Sequence, residues 1–149
     1  MKKEIPMTKS RILVADDDKD DFNTLKDAFE LMEQEVDLIH VNDGYKLFEV
    51  LMQHNFRLPD LIVLDINMPR MDGFVTLARI KSERGISEIP VVVYSTSSDN
   101  DHITKSYHLG ATAFITKPCN FKGIMDVARS LQHYSEHATD ILHPLRAVN

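Results

Sequence analysis

Five short aliphatic runs punctuate the chain, at Ile12–Ala15, Leu38–Val41, Leu61–Leu64, Val91–Tyr94 and Ala113–Ile115. None of them alternates with polar residues. Unbroken apolarity over so short a span is what a strand needs when both of its faces are covered, so the runs predict five buried strands of a parallel sheet between layers of helix. The intervening segments change to helical spacing. Phe22, Leu25, Phe29 and Met32 follow the acids Asp20 and Asp21, which suit a positive helix N-terminus. Leu47, Phe48 and Leu51 mark a second helix after Asn42, Asp43 and Gly44. Phe74, Leu77 and Ala78 mark a third, closed by Gly85 as its C′ residue. Ile103 and Tyr107 predict a short fourth ending at Gly110. Phe121, Ile124, Ala128 and Leu131 predict the fifth, with Lys122 and Arg129 on its wetter side.

Strict strand–helix alternation with right-handed crossovers builds a doubly wound α/β sheet, here a five-stranded flavodoxin-like (βα)5 arrangement with expected order 2-1-3-4-5. A closed barrel would need eight such units. In open sheets of this kind ligands sit beyond the carboxyl ends of the strands, near the switch point in strand order. Those ends are polar in this chain. Strand one runs into Asp16, Asp17 and Asp18, strand three into Asp65, strand four into Ser95 and Thr96, and strand five into Thr116, Lys117 and Pro118. Each has an ordinary explanation by itself: Asp18 as a turn cap, Ser95 bonded to backbone, Lys117 reaching to water. The expected strand order brings them to one place.

Two carboxylates about 4 Å apart repel by about 4 kcal/mol at an effective dielectric of 20. Clustering Asp16, Asp17 and Asp65 is therefore costly without a cation. The candidate ligands are hard oxygens, with no cysteine or paired histidine among them, which favours Mg2+ held by a few protein groups and water. Magnesium that keeps open positions usually serves phosphate. Lys117 and the Ser95 hydroxyl would then meet the remaining phosphoryl oxygens as charge and hydrogen-bond donor.

Composition narrows the field. At 149 residues there is room for one domain with a proper core. A formal net charge of −6 argues against a nucleic-acid surface. Cys119 is the only cysteine, so no intramolecular disulfide forms; the expected compartment is the cytoplasm, and the expected role of Cys119 is that of a small packed residue. No long apolar stretch or signal-like h-region is present, so no membrane partner is expected.

Taken with their spacing, ILVADDD, LIVLDINMPRMDG, VVVYSTSS and AFITKP resemble the receiver domain of bacterial two-component response regulators, over about residues 10–134. The TSSDND stretch is similar to stand-alone receivers that work beside phytochrome-like and hybrid kinases. The resemblance implies that Asp65 accepts a phosphoryl group from a sensor histidine kinase or phosphotransfer protein in a Mg2+-dependent reaction. It implies metal binding directly by Asp17 and Asp65, through water by Asp16, and by the backbone carbonyl of Asn67. Ser95 would bond the phosphoryl group, Lys117 would pair with Asp65 or its phosphate, and Phe114 would be the aromatic switch residue, entering space that Ser95 vacates. Such a protein is no enzyme beyond its own phosphorylation and dephosphorylation. The Lys117–Pro118 bond is a candidate for cis.

The chain also departs from the family pattern. Ser95 stands where threonine is commoner, Thr96 is bulkier than the usual alanine or glycine, Phe114 lacks a tyrosine hydroxyl, and Cys119 replaces a frequent aromatic. Two alternatives compete with the receiver reading. A haloacid-dehalogenase-like phosphatase would need a DxDxT motif after strand one, and this chain offers the two acids without the threonine. A pseudo-receiver binding module would have no use for the full set of acids, hydroxyl and lysine. His133, Glu136 and His137 spell a zinc-protease pattern, HxxEH, at the end of the fifth helix, where a structural role is expected. Residues 1–9 form an N-terminal extension. Residues 135–149 form a tail too short for an output domain, so output is expected through an unknown downstream protein target. Apolar residues in that tail, or the face of the fourth helix, fifth strand and fifth helix, suggest a homodimer. Phe22 and Leu25 are expected to help select the kinase.

Overall fold

The computed structural model describes residues 9–137. Its elements alternate as expected: β1 Ser10–Ala15, α1 Lys19–Leu31, β2 Val36–Val41, α2 Gly44–Leu51, β3 Leu61–Leu64, α3 Gly73–Ser82, β4 Val91–Ser95, α4 Asn100–His108, β5 Ala113–Thr116 and α5 Phe121–Glu136. The sheet is wholly parallel in the order β2-β1-β3-β4-β5. The continuous aliphatic runs split by a period of two. Leu13, Ala15, Ile62, Leu64, Val91 and Val93 point to one face, against Leu47, Phe48 and Leu51 of α2 and Leu77 and Ile80 of α3. Ile12, Val14, Leu61, Val63, Val92 and Tyr94 point to the other, against Leu25, Ala28 and Phe29 of α1 and Val127, Ala128 and Leu131 of α5. Both faces are covered along the central strands, which is why Ile12–Ala15, Leu61–Leu64 and Val91–Val93 carry no polar residue on either.

Burial falls off at the sheet edges. In β2 only Val41 is buried, and β5 is buried only at Ala113, because an edge strand has a neighbour on one side alone. The expectation of five buried strands holds for β1, β3 and β4 from Ile12 onward.

Helix ends follow local chemistry. Asp18, Asp43, Asp72, Asp99 and Asn120 each accept a backbone N–H in the first turn of the helix they precede, satisfying donors that the helix leaves unpaired. The end of α3 differs from expectation. It closes at Ser82 with Glu83 as cap, and Gly85 lies beyond that cap with φ +97°. A run of turns then buries Ile86 and Ile89. Lys81 Nζ stitches these turns down by donating to the carbonyls of Ser87 at 3.2 Å and Ile89 at 2.8 Å. Burial holds the Lys81 pKa below its ordinary value.

Three further expectations are corrected. The Lys117–Pro118 bond is trans, the form any X-Pro bond takes unless a tight turn demands otherwise. Cys119 is exposed rather than packed, because it lies in the connection between β5 and the Asn120 cap of α5. Leu25 is fully buried under α1 and cannot meet a kinase, whereas Phe22 is half-buried and stacked on His40 at 4.3 Å. Among the described residues no helix is long and apolar enough to cross a membrane. Most of the tail assigned to dimerisation lies outside the described residues.

Candidate functional site

Sheet hydrogen bonds run one residue past the strand ends and hold the polar groups in place. Asp16 N–H donates to the Val41 carbonyl at 3.0 Å, Asp65 N–H to Ala15 at 2.9 Å, and Lys117 N–H to Ser95 at 2.7 Å. The backbones of Asp16, Asp65 and Lys117 are thus pinned by β-ladders rather than by loops. Asp16 and Asp65 are both buried, at 2% and 6% exposure, while Asp17 is exposed. One carboxylate oxygen from each of Asp16, Asp17 and Asp65 lies within 4.8 Å of the others. Asp18 belongs elsewhere: its side chain caps α1 by accepting from the N–H groups of Asp20 and Asp21.

Lys117 Nζ reaches across the sheet to three carboxylates, donating to Asp21 at 2.7 Å, Asp16 at 2.8 Å and Asp65 at 3.4 Å. Burial works to lower the lysine pKa, but the hydrogen bonds to Asp16 and Asp21 and the charges of Asp16 and Asp65 overcome it and hold the ammonium well above its ordinary value. Burial pushes the Asp16 carboxyl up to about 6, against the opposing pull of Lys117 and the Asp18 N–H. The expected pairing of Lys117 with Asp65 is present, yet it is the longest of the three contacts.

Asn67 and Ser95 complete the rim. Asn67 N–H donates to Asp65 Oδ1 at 3.1 Å, and its amide reaches Ser95 Oγ at 3.4 Å. Ser95 is fully buried, and its Oγ also accepts the Ser97 N–H at 3.3 Å. Both contacts are long for hydrogen bonds, so the hydroxyl is weakly held. Phe114 is half-buried against the core face shared with α2 and α3. Its N–H donates to the hydroxyl of Tyr107 on α4 at 3.2 Å.

The structure adds residues that sequence reasoning did not assign to the site. Asp21 is one, since its place in the first turn of α1 explains it equally well as a helix-dipole acid. His40 is another: its Nε2 lies 2.8 Å from the Asp16 carbonyl. Gly73 is the third. A Cβ there would fall 2.3 Å from Ile66 Cα and 2.5 Å from the Asp65 carbonyl oxygen, so α3 starts in contact with the backbone that carries Asp65. The HxxEH stretch lies apart. Glu136 and His137 line a cavity of about 650 Å3 with Lys9 and Ser10, at the opposite end of the sheet. His133 and His137 tilt against each other, Glu136 accepts from Gln132, and Asp16, Asp17 and Asp65 are the one metal-competent group of three among the described residues.

Three hard carboxylates, two of them buried and only partly compensated by one ammonium, fit a divalent cation. The cation must displace any proton on Asp16. Ionised Asp16 predominates above about pH 6 and protonated Asp16 below it. Divalent-cation affinity is therefore expected to fall by up to about ten-fold per pH unit below that point and to level off above it. Calorimetric Mg2+ titrations from pH 5 to 8 would measure this, and equal affinities at pH 5 and 7 would contradict it.

Known proteins are similar to this chain in sequence and fold. The response regulator receiver domain family matches residues 12–129. Response regulator Rcp1 of Synechocystis sp. is 32% identical over 127 residues, spanning 83% of this chain and 86% of that protein. The crystal structure of the phosphorylated cyanobacterial phytochrome response regulator RcpA superposes with a TM-score of 0.79 at 32% identity, over 87% of this chain and 95% of that one. The Mn2+-bound form of Rcp1 does so with a TM-score of 0.72 at 29% identity, over 90% and 95% of the two chains. With its acids, hydroxyl and lysine at the strand ends of a β2-β1-β3-β4-β5 sheet, this chain belongs to the response regulator receiver domain family.

Proposed function

We propose that this chain is a response regulator that accepts a phosphoryl group on Asp65 from a phosphohistidine of a sensor histidine kinase or phosphotransfer protein. The observation that carries the reading is the meeting of a buried Asp65 carboxylate with Lys117 Nζ at 3.4 Å beside the Asp16–Asp17–Asp65 cluster. A phosphorylated relative and a Mn2+-bound relative support it. Asp17, Asp65 and the Asn67 carbonyl would hold Mg2+ directly, and Asp16 through water. When bound, Mg2+ supplies charge neutralisation for the carboxylates and the transferring phosphoryl oxygens.

The chain's own residues do the rest. A carboxylate oxygen of Asp65 attacks phosphorus in line with the phosphorus–nitrogen bond of the donor histidine. That bond breaks as the new oxygen–phosphorus bond forms, and the imidazole leaves with its electron pair. Lys117 balances charge on a phosphoryl oxygen, and the Ser95 hydroxyl donates to another. Drawing Ser95 Oγ inward breaks its two long contacts and opens space toward which the half-buried ring of Phe114 moves. The surface of α4, β5 and α5 changes shape in consequence, and binds a protein target or a second copy of the chain.

Incubation with acetyl phosphate and Mg2+ tests the reading directly. One phosphoryl mass per chain is expected by intact mass spectrometry, and EDTA should prevent its appearance. An unchanged mass with Mg2+ present would favour the binding-module alternative.

A further inference from the structure

The shortest contact of the Lys117 ammonium is not with the nucleophile or with Asp16 but with Asp21 on α1. We propose that Asp21 is a positioning residue that holds Lys117 back from the phosphoryl group and so limits how long Asp65 stays phosphorylated. The proposal rests on the reading of Asp65 as phosphoacceptor.

An ammonium has three N–H donors, and here each faces one carboxylate, at 2.7, 2.8 and 3.4 Å. Asp21 lies outside the group of three acids that could hold a cation. Its backbone is fixed, because its N–H donates to the capping carboxylate of Asp18 at 3.2 Å. An acid serving only the helix dipole needs no partner, whereas this one makes a charge-assisted bond to a lysine that is 8% exposed.

A phosphoryl group on Asp65 brings close to two negative charges and three acceptor oxygens. It must draw on the donor that now points to Asp65. Asp21 opposes this in two ways of the same sign: it competes for the ammonium, and its charge repels the phosphoryl anion. Removing that charge favours the phosphorylated state. Because the Asp21 side chain is 38% exposed, solvent screens part of the effect. The expected size is about two- to five-fold.

The test uses the full chain as wild type, Asp21→Asn and Asp21→Glu. In metal-free protein, NMR of the Lys117 ammonium reads the contact itself, and proton exchange should quicken in Asp21→Asn and return toward wild type in Asp21→Glu. Fluorine NMR of beryllofluoride at saturating Mg2+ then reads the consequence. Binding should tighten about two- to five-fold in Asp21→Asn, with acetyl-phosphate-derived phosphoryl groups lost correspondingly more slowly. Unchanged ammonium exchange, or beryllofluoride binding that is equal or weaker, would overturn the proposal. Wild-type protein that binds no beryllofluoride would overturn the phosphoacceptor reading instead, and the metal-free exchange rates would separate the two failures.

Discussion

Asp65→Asn is expected to abolish phosphorylation by acetyl phosphate or a phosphorylated kinase, to below about a thousandth of the wild-type rate, while leaving the fold intact. The amide is nearly isosteric with the carboxylate but has no ionised oxygen to attack phosphorus. No neighbour can substitute at that place. Asp16 is engaged by Lys117 and the Asp18 N–H, and Asp17, exposed past the end of another strand, is placed to hold the cation. The backbone contact of Asp65 N–H with the Ala15 carbonyl is untouched by the change. Lys117 keeps its two shorter partners, Asp16 and Asp21. Removing one of two buried like charges should raise the metal-free melting temperature by a few degrees, since about 1 kcal/mol moves the midpoint of a domain this size by about 2–4 °C. The Asp65 charge is also among the smaller causes raising the Asp16 pKa after burial, so metal-free Asp16 should titrate lower in the variant. Intact mass and calorimetry measure the two effects. Residual stoichiometric phosphorylation on another aspartate would show that the acceptor is misassigned.

The second large effect falls on stability and function together. Gly73→Ala is expected to destabilise the fold by about 2–4 kcal/mol and to reduce phosphorylation sharply. Carbon atoms pack at about 3.5–4.0 Å, and the added Cβ would meet Ile66 Cα at 2.3 Å and the Asp65 carbonyl oxygen at 2.5 Å. These neighbours are backbone, so no side chain can swing away. Either α3 lifts from the sheet, stretching the Gly73 N–H bond to the Ile66 carbonyl at 3.0 Å, or the end of β3 moves and Asp65 with it. Gly85→Ala provides the control. Nothing lies within 4 Å of a Cβ there, and only its φ of +97° opposes the change, at about 1–2 kcal/mol. Gly85→Ala should lose some stability yet phosphorylate normally. Equal phosphorylation in both variants, measured well below their melting temperatures, would refute the coupling of Gly73 to Asp65.

The order of strands and helices was legible in the chain, as were the metal-competent acids Asp16, Asp17 and Asp65, because both rest on local rules. An aliphatic run that never alternates must be covered on two faces, and a carboxylate that ends such a run must stand at the rim of the sheet. Asp18 as a cap follows from the same kind of rule. Exposure at β2 and β5 did not follow, since being at an edge is a property of the assembled sheet. The close of α3 at Ser82 was decided by the burial of Ile86 and Ile89, contacts that no helical periodicity reports.

Tertiary structure alone decided the partners. Asp21 and Lys117 are far apart in the chain, and only the packing of α1 beside α5 on one face of the sheet turns a helix-dipole acid into a lysine's closest counter-ion. The contact of Gly73 with the Asp65 backbone appears only when α3 is laid on the sheet. Sequence pattern thus determined which side chains would gather at the strand ends, because backbone period and burial are local. Which of them touch, and at what distance, is set by long-range packing, where a difference of 0.7 Å separates the Asp21 and Asp65 contacts of one ammonium at 2.7 and 3.4 Å.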